Sequence, residues 1–296
     1  GLMAVETVKS APSLAPIFAK SVLGALGIGG GTKGKELPER SLRLEGQQVD
    51  REHLHEYQRL CGFNADDTLP HTYPHIIGMP LQMALMSKPD FPLPLVGLVH
   101  VENAITVHRR LTADDVLDVT VTAERLAAHP KGRTVDLVTV AEVDGELVWE
   151  GRSTYLARGK GDPDAERGEA PPSLPKGYPA AVWSLPGNFG RQYAAVSGDV
   201  NPIHMSGITA KAMGFPAAIA HGMWTYARCL GSLGPKASGP STSHVWFKKP
   251  VLLPGKIELV VEPGETTVLG LRKARKAETE HLVMTFETTG ALRSQA

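Results

Sequence analysis

The run Tyr193-Ala-Ala-Val-Ser197-Gly198-Asp199-Val200-Asn201-Pro202-Ile203-His204 sets a carboxylate, an amide and an imidazole within six residues. Pro202 fixes its own φ and pushes Asn201 toward extended backbone. The segment is therefore expected to be a shaped loop and not a continuous helix. Such a loop can turn Asp199, Asn201 and His204 toward one point. Two groups able to hold and deprotonate a water, with an amide to orient them, make a general acid–base site. Further on, His221-Gly222-Met223 opens a predicted helix over 224–233. A helix N-terminus offers unpaired N–H groups and a partial positive charge. That is a place for an oxygen that gains negative charge during a reaction.

The pattern Tyr-x-x-x-Ser-Gly-Asp-x-Asn-Pro-x-His, followed by Ala-His-Gly-Met, resembles the signature of the MaoC-like (R)-specific enoyl-CoA hydratases, also called hydratase 2. The likeness is close over 193–223. It implies an α+β hot-dog fold, in which a long helix is wrapped by a curved antiparallel sheet. It implies a catalytic Asp199–His204 pair and an oxyanion hole formed by the backbone N–H of Gly222. Asn201 would be a third polar group, with Ser197, His221 and Tyr193 in support. It also implies a substrate carried on coenzyme A or acyl carrier protein, with no other cofactor. The reaction would be hydration of a trans-2-enoyl thioester or its reverse, dehydration of an (R)-3-hydroxyacyl thioester. Acyl chain length, carrier, direction, and which of Asp199 and His204 is the base stay open. A hot-dog thioesterase and a non-catalytic acyl-thioester binding protein are the rival readings.

Working outward, the chain reads as two similar halves. Tyr193 to Gly198 mirrors Tyr57 to Gly62, and His221-Gly222-Met223 mirrors Ile77-Gly78-Met79. Each half gives helix and then strands, and such self-similarity points to a duplicated unit. In the first half an edge strand is expected over 43–49, then a helix over 51–60 capped by Asp50. A loop over 64–74 and a short helix over 81–88 follow, with Pro80 in the helix's first turn. Strands are expected at 97–107, 116–126, 134–143 and 146–157, with Asp144-Gly145 as a hairpin turn. In the second half strands are expected at 243–248, 256–262, 267–273 and 281–288. The copies differ in one place. Gly198 and Gly222 stand 24 positions apart, Gly62 and Gly78 only 16, and Phe63 occupies the place of Asp199. One active site per chain is expected, in the second half. The resulting division is an N-terminal segment 1–36, a non-catalytic hot-dog domain 37–160, a linker 161–176 and a catalytic domain 177–296. The two domains would form a pseudo-dimer within one chain, leaving monomer and homodimer both open.

Bulk properties exclude several classes. Lys plus Arg and Asp plus Glu both number 31, so no general affinity for nucleic acid is indicated. Cys61 and Cys229 form no metal-binding or disulfide pattern, which suits a reducing, cytoplasmic setting. No metal is expected at Asp199, Asn201 and His204: a hard cation wants more carboxylates, and zinc more His or Cys. The apolar stretch near the N-terminus is interrupted by Lys20 and is too short to span a membrane; a helix over 12–26 and a Gly-rich link over 27–34 are expected. Gly29 to Gly34 spells Gly-x-Gly-x-x-Gly but follows no strand, so no dinucleotide site is read there. The segment 159–177 has almost no large apolar residue and is expected not to bury into a core. His100, His108 and His244 are expected to face solvent or satisfy local bonds. Arg109-Arg110 and Lys248-Lys249 are either surface charge or contacts to carrier phosphates.

Overall fold

The computed structural model describes residues 3–25, 27 and 35–289. In chain order the first half holds β1 (Ala4–Val8), α1 (Leu14–Ala25), β2 (Arg40–Gln47), α2 (Arg51–Cys61), α3 (Tyr73–Ser87), β3 (Leu98–Val107), β4 (Leu117–His129), β5 (Gly132–Val143) and β6 (Glu146–Arg158). The second holds β7 (Ala181–Leu185), α4 (Phe189–Ser197), α5 (Pro202–Met205), α6 (Gly207–Ala212), α7 (Gly222–Gly231), β8 (Ser241–Phe247), β9 (Gly255–Glu262), β10 (Thr267–Lys273) and β11 (Lys276–Thr288). The Gly29–Gly34 motif and most of the expected 27–34 link lie outside the described residues.

All strands join one 11-stranded sheet, in the order β1-β2-β4-β5-β6-β3-β8-β11-β10-β9-β7. Counting outward from the central β3–β8 pair, one side runs β3, β6, β5, β4, β2. The other runs β8, β11, β10, β9, β7, so each strand but β1, which adds to β2 at the edge, has its counterpart. The central pair is antiparallel and in register from Glu102 opposite Trp246 to Val107 opposite Ser241. The hairpin turn comes where Asp144-Gly145 demands positive φ, at 50° and 79°.

Local chemistry sets the helices. The Asp50 carboxylate accepts from the N–H groups of Glu52 and His53, and Gly62 closes α2 in left-handed conformation at φ 76°. Gly198 closes α4 in the same way at φ 79°. Helix α3 buries eleven of its 15 residues, including Ile76, Met79, Leu81 and Leu85. A helix apolar on all sides belongs inside a core. It packs on β2, β4 and β5, while α7 packs on β10 and α2 touches both α4 and α7. This is the hot-dog arrangement of helix on curved antiparallel sheet, built twice within one sheet.

Several expectations are corrected. The helix predicted over 81–88 begins at Tyr73, with Pro74 in its first turn and Pro80 in its interior. Burial of almost every face outweighs the hydrogen bond that Pro80 removes. The expected edge strand is β2, and it is not an edge, because β1 pairs with it in parallel. Strands β1 and β7, missed in the sequence, are five residues each; β1 is almost wholly exposed, and β7 alternates too briefly to read. The segment 159–177 is irregular, yet Leu174 is buried with Trp246, Val260 and Val283. The Trp246 indole N–H donates to Glu169 O at 3.3 Å. One leucine on an outer sheet face anchors a stretch whose composition is otherwise polar. Among the described residues no helix is long and apolar enough to cross a membrane.

Candidate active site

The loop between α4 and α5 is held by bonds from its own side chains. The Asp199 N–H donates to Ser197 Oγ at 3.1 Å, and the Asn201 N–H to Asp199 Oδ1 at 3.1 Å. The Ile203 N–H donates to Asn201 Oδ1 at 3.3 Å, so Asn201 caps α5 with Pro202 at its first position. Ser197 and Asn201 therefore shape the loop, and one oxygen of Asp199 is spent on it. The expected loop is present, with α5 a single short turn that carries His204.

His204 is buried, and its Nδ1–H donates to Ile219 O at 2.7 Å. A carbonyl only accepts, so in the neutral ring the lone pair sits on Nε2. Burial pulls the pKa of His204 down, against the nearby Asp199 charge and the Ile219 bond, which raise it. The ring is thus a neutral acceptor near pH 7. His221 caps α7 and stacks on His204, with ring centroids 3.6 Å apart and planes at 23°. Its Nε2–H donates to Asp199 O at 2.9 Å. Burial and the neighbouring His204 keep it far below the usual histidine range. Tyr193 packs its ring on His221 at 4.7 Å, and its buried hydroxyl has no partner among the described residues. His221 and Tyr193 thus brace the backbone of Asp199 and the face of His204.

Asp199, His204 and His221 each bring one possible ligand atom within 4.8 Å of the others. His221 keeps Nδ1 without a partner when Nε2 donates to Asp199 O. Stacked imidazoles, however, hold their in-plane lone pairs parallel, so an ion shared by both would sit well out of each ring plane. Zinc prefers in-plane tetrahedral nitrogen or sulfur donors.

Gly222 is the first residue of α7, and its N–H has no backbone partner among the described residues. A Cβ at this position would lie 3.1 Å from the Phe247 ring. Glycine thus keeps the approach to that N–H open.

Asp199, Asn201, His204, His221 and Gly222 border one cavity of about 500 Å³, while Ser197 and Tyr193 stand behind them and do not line it. Both halves of the chain line it. Asp199, His204 and Gly222 come from the second half, and His75, Met79, Met83, Met86, His100 and Tyr155 from the first. Met79, Met83 and Met86 recur at helical spacing along α3. Phe18 of α1 closes part of the wall. Exposed Lys131, Arg158, Lys248 and Lys249 also border it, at the solvent side. Arg109 and Arg110 do not, and Arg109 is paired with Asp115 at 3.1 Å. His108 is exposed beside Glu150, and His244 bonds Glu102, as local partners would have it. His100 bonds Asn103 at 3.3 Å, a local partner, but does not face open solvent: it stacks on Tyr155 inside the cavity at 4.8 Å.

One glycine that the sequence reading passed over also matters. A Cβ on Gly190 of α4 would fall 1.9 Å from the carbonyl oxygen of His204. Gly190→Ala must push α5 away from α4 and move His204 with it. A loss of about 1–3 kcal/mol of stability is expected, the usual cost of overpacking. It would be read as a lower denaturation midpoint accompanied by reduced turnover. Unchanged values for both would show that the contact yields freely.

These features place the chain among acyl-thioester hydro-lyases with a helix-wrapped, two-half sheet. Residues 189–284 match the MaoC like domain. The chain belongs to the MaoC-like dehydratase family. It is 37% identical over 231 residues to 3-hydroxyacyl-thioester dehydratase X of Mycobacterium tuberculosis, covering 78% of this chain and 82% of that one. The crystal structure of HtdX from that organism superposes with a TM-score of 0.75 at 35% identity, covering 84% of this chain and 100% of the other. A MaoC-like dehydratase from Phytophthora capsici shares the fold at a TM-score of 0.67 and 17% identity, over 85% and 96% of the two chains.

Proposed function

We propose that this chain interconverts trans-2-enoyl thioesters and (R)-3-hydroxyacyl thioesters, with Asp199 and His204 as its acid–base pair. The observation that carries the reading is the fixed tautomer of His204. Its Nε2 lone pair and the free oxygen of Asp199 border the same cavity as the Gly222 N–H. In hydration, the two acceptors hold one water against Cβ. The water oxygen bonds to Cβ as the C=C π electrons move toward the thioester. One water proton passes to the pair, and a proton from the pair reaches Cα. The enolate oxygen formed between these steps is met by the Gly222 N–H and the positive end of α7. No further cofactor is required. Residues 37–160 would act as a non-catalytic hot-dog domain and 177–296 as the catalytic one, joined by the linker 161–176. The second-half location of Asp199 and His204 and the paired strand order support that division.

Lys131, Arg158, Lys248 and Lys249 suit the phosphates of a coenzyme A or acyl carrier protein thioester. The buried free thiols Cys61 and Cys229 suit a cytoplasmic setting. Incubation with crotonyl-CoA and a longer trans-2-enoyl-CoA should remove the enoyl-thioester absorbance and give the (R)-3-hydroxy product. Release of free thiol without hydration would instead make the chain a thioesterase. Binding without turnover on both carriers would make it an acyl-thioester binding protein.

A further inference from the structure

Opposite the Asp199 loop, the cavity wall carries a polar group that the reaction above does not use. His75 of α3 is only 2% exposed. It lines the cavity, and neither of its ring nitrogens has a hydrogen-bond partner among the described residues. Neither nitrogen is among the sealed, unpartnered buried atoms of the described residues, which accords with a ring on the cavity wall. His100 faces it across 6.5 Å, with the rings nearly parallel at 14°. A register shift between His100 and Glu102 on β3 aims His100 inward. Its Nε2 accepts from Asn103 Nδ2 at 3.3 Å, and its ring rests on Tyr155. Tyr155 is spent in turn, since its hydroxyl donates to Gln82 Oε1 at 2.8 Å. His75 therefore stands alone in this wall with both a donor and an acceptor uncommitted.

A buried imidazole without a partner costs free energy unless something fills the role. Methionines would have served equally well along a channel for a plain alkyl chain, as Met79 and Met83 do beside it. We infer that His75, supported by His100, forms a specificity pocket for a hydroxyl group on the acyl chain, distinct from the oxygen that the reaction adds or removes. The inference rests on the acyl-thioester reading above.

Two observations narrow the ligand. The Phe247 ring touches the space above Gly222 and lies 4.8 Å from His100. The pair thus flanks the reacting carbons and not the far end of the channel, which puts the hydroxyl within a few bonds of the double bond. Burial also holds His75 near a pKa of about 4, against the pull of the nearby Asp199 charge, and His100 near about 3, so both rings are neutral. A neutral pocket suits a hydroxyl, which can both give and accept a hydrogen bond, better than a carboxylate. His75 is then a specificity residue and not part of the acid–base pair.

The test compares trans-2-hexenoyl-CoA with its 4-hydroxy and 5-hydroxy counterparts, using the full chain. Sites built to bond a substrate hydroxyl discriminate strongly against analogues that lack it. The intact protein should prefer one hydroxylated substrate by about tenfold or more in kcat/KM. His75→Leu, which keeps bulk and removes both nitrogens, should bring that ratio close to one. His100→Phe gives a second reading if the first variant folds poorly. A preference of the intact protein for the plain chain overturns the inference, as does a ratio that survives His75→Leu. If none of the three is turned over, the hydration reading fails by itself. The same ratio is then read from binding by calorimetry, where equal affinities overturn the pocket.

Discussion

Asp199→Asn and His204→Gln each lower turnover at least a hundredfold while leaving the fold intact. The magnitude is the usual one for a lost acid–base group. The structure explains why folding should survive. Asparagine still offers Oδ1 to the Asn201 N–H, the 3.1 Å bond that closes the loop. Glutamine can present an amide N–H near Ile219 O, where His204 now donates at 2.7 Å. What each variant loses is the uncommitted acceptor facing the cavity: a carboxylate oxygen in one, a basic ring nitrogen in the other. Initial rates with an enoyl-CoA, alongside circular dichroism, decide the matter. Near-normal turnover in either folded variant would remove that residue from the chemistry. The two losses should also fail to add, because the pair handles one water and one proton together.

The second large effect is on stability in acid. In an unfolded chain histidine takes up its proton near pH 6.5. In the folded protein, burial holds His71 down to about 3, His75 to about 4 and His100 to about 3. His204 and His221 are displaced the same way. Between those values and about 6.5 the unfolded chain binds more protons than the folded one. Stability is therefore full above about pH 6.5 and drains as pH falls. The loss is on the order of 1.4 kcal/mol per pH unit for each group in its window. Several groups act together, so the thermal midpoint should drop steeply from about pH 6.5 to about pH 5. A midpoint level across that range would mean that these imidazoles are hydrated or paired in the folded state. Turnover should fall in the same direction at lower pH, since protonated His204 no longer accepts from water.

Much of the second half was legible because its chemistry is local. The short side chains of Ser197, Asp199 and Asn201 each accept from a backbone N–H two residues on, and Gly198 and Pro202 set the turn locally. A reader of sequence sees the same neighbours as the folded chain does. The duplicated order of helix and strands was legible for a similar reason, and apart from β1 the structure sets the two series at matching distances from the β3–β8 pair. What escaped was set by distant partners. Two prolines hid the length of α3, whose helicity comes from burial on every side. With the helix start misplaced, the Met79–Met83–Met86 face and His75 could not be seen as one wall. His100 looked like an outward residue until the shift beside Val101 turned it inward. Leu174 was one apolar residue in a polar stretch, and only the outer sheet face gives it a place. Gly190 had no signal of its own, because its constraint is a backbone fourteen positions further on.

The β3–β8 pair has a consequence for any attempt to divide the protein. Among the described residues, a sheet that runs unbroken through both halves has bare ends only at β1 and β7, each five residues long. Severing the chain in 159–177 and separating the pieces would create two more ends at once. Each would be a long, half-apolar row of unanswered backbone donors and acceptors, the kind of surface that recruits other chains. A second copy of the same piece already has the matching geometry, because β3 and β8 are counterparts. The isolated second half should therefore pair with itself or aggregate, and under the proposed function covalent fusion would let one copy carry the acid–base groups while the other is free to reshape the channel.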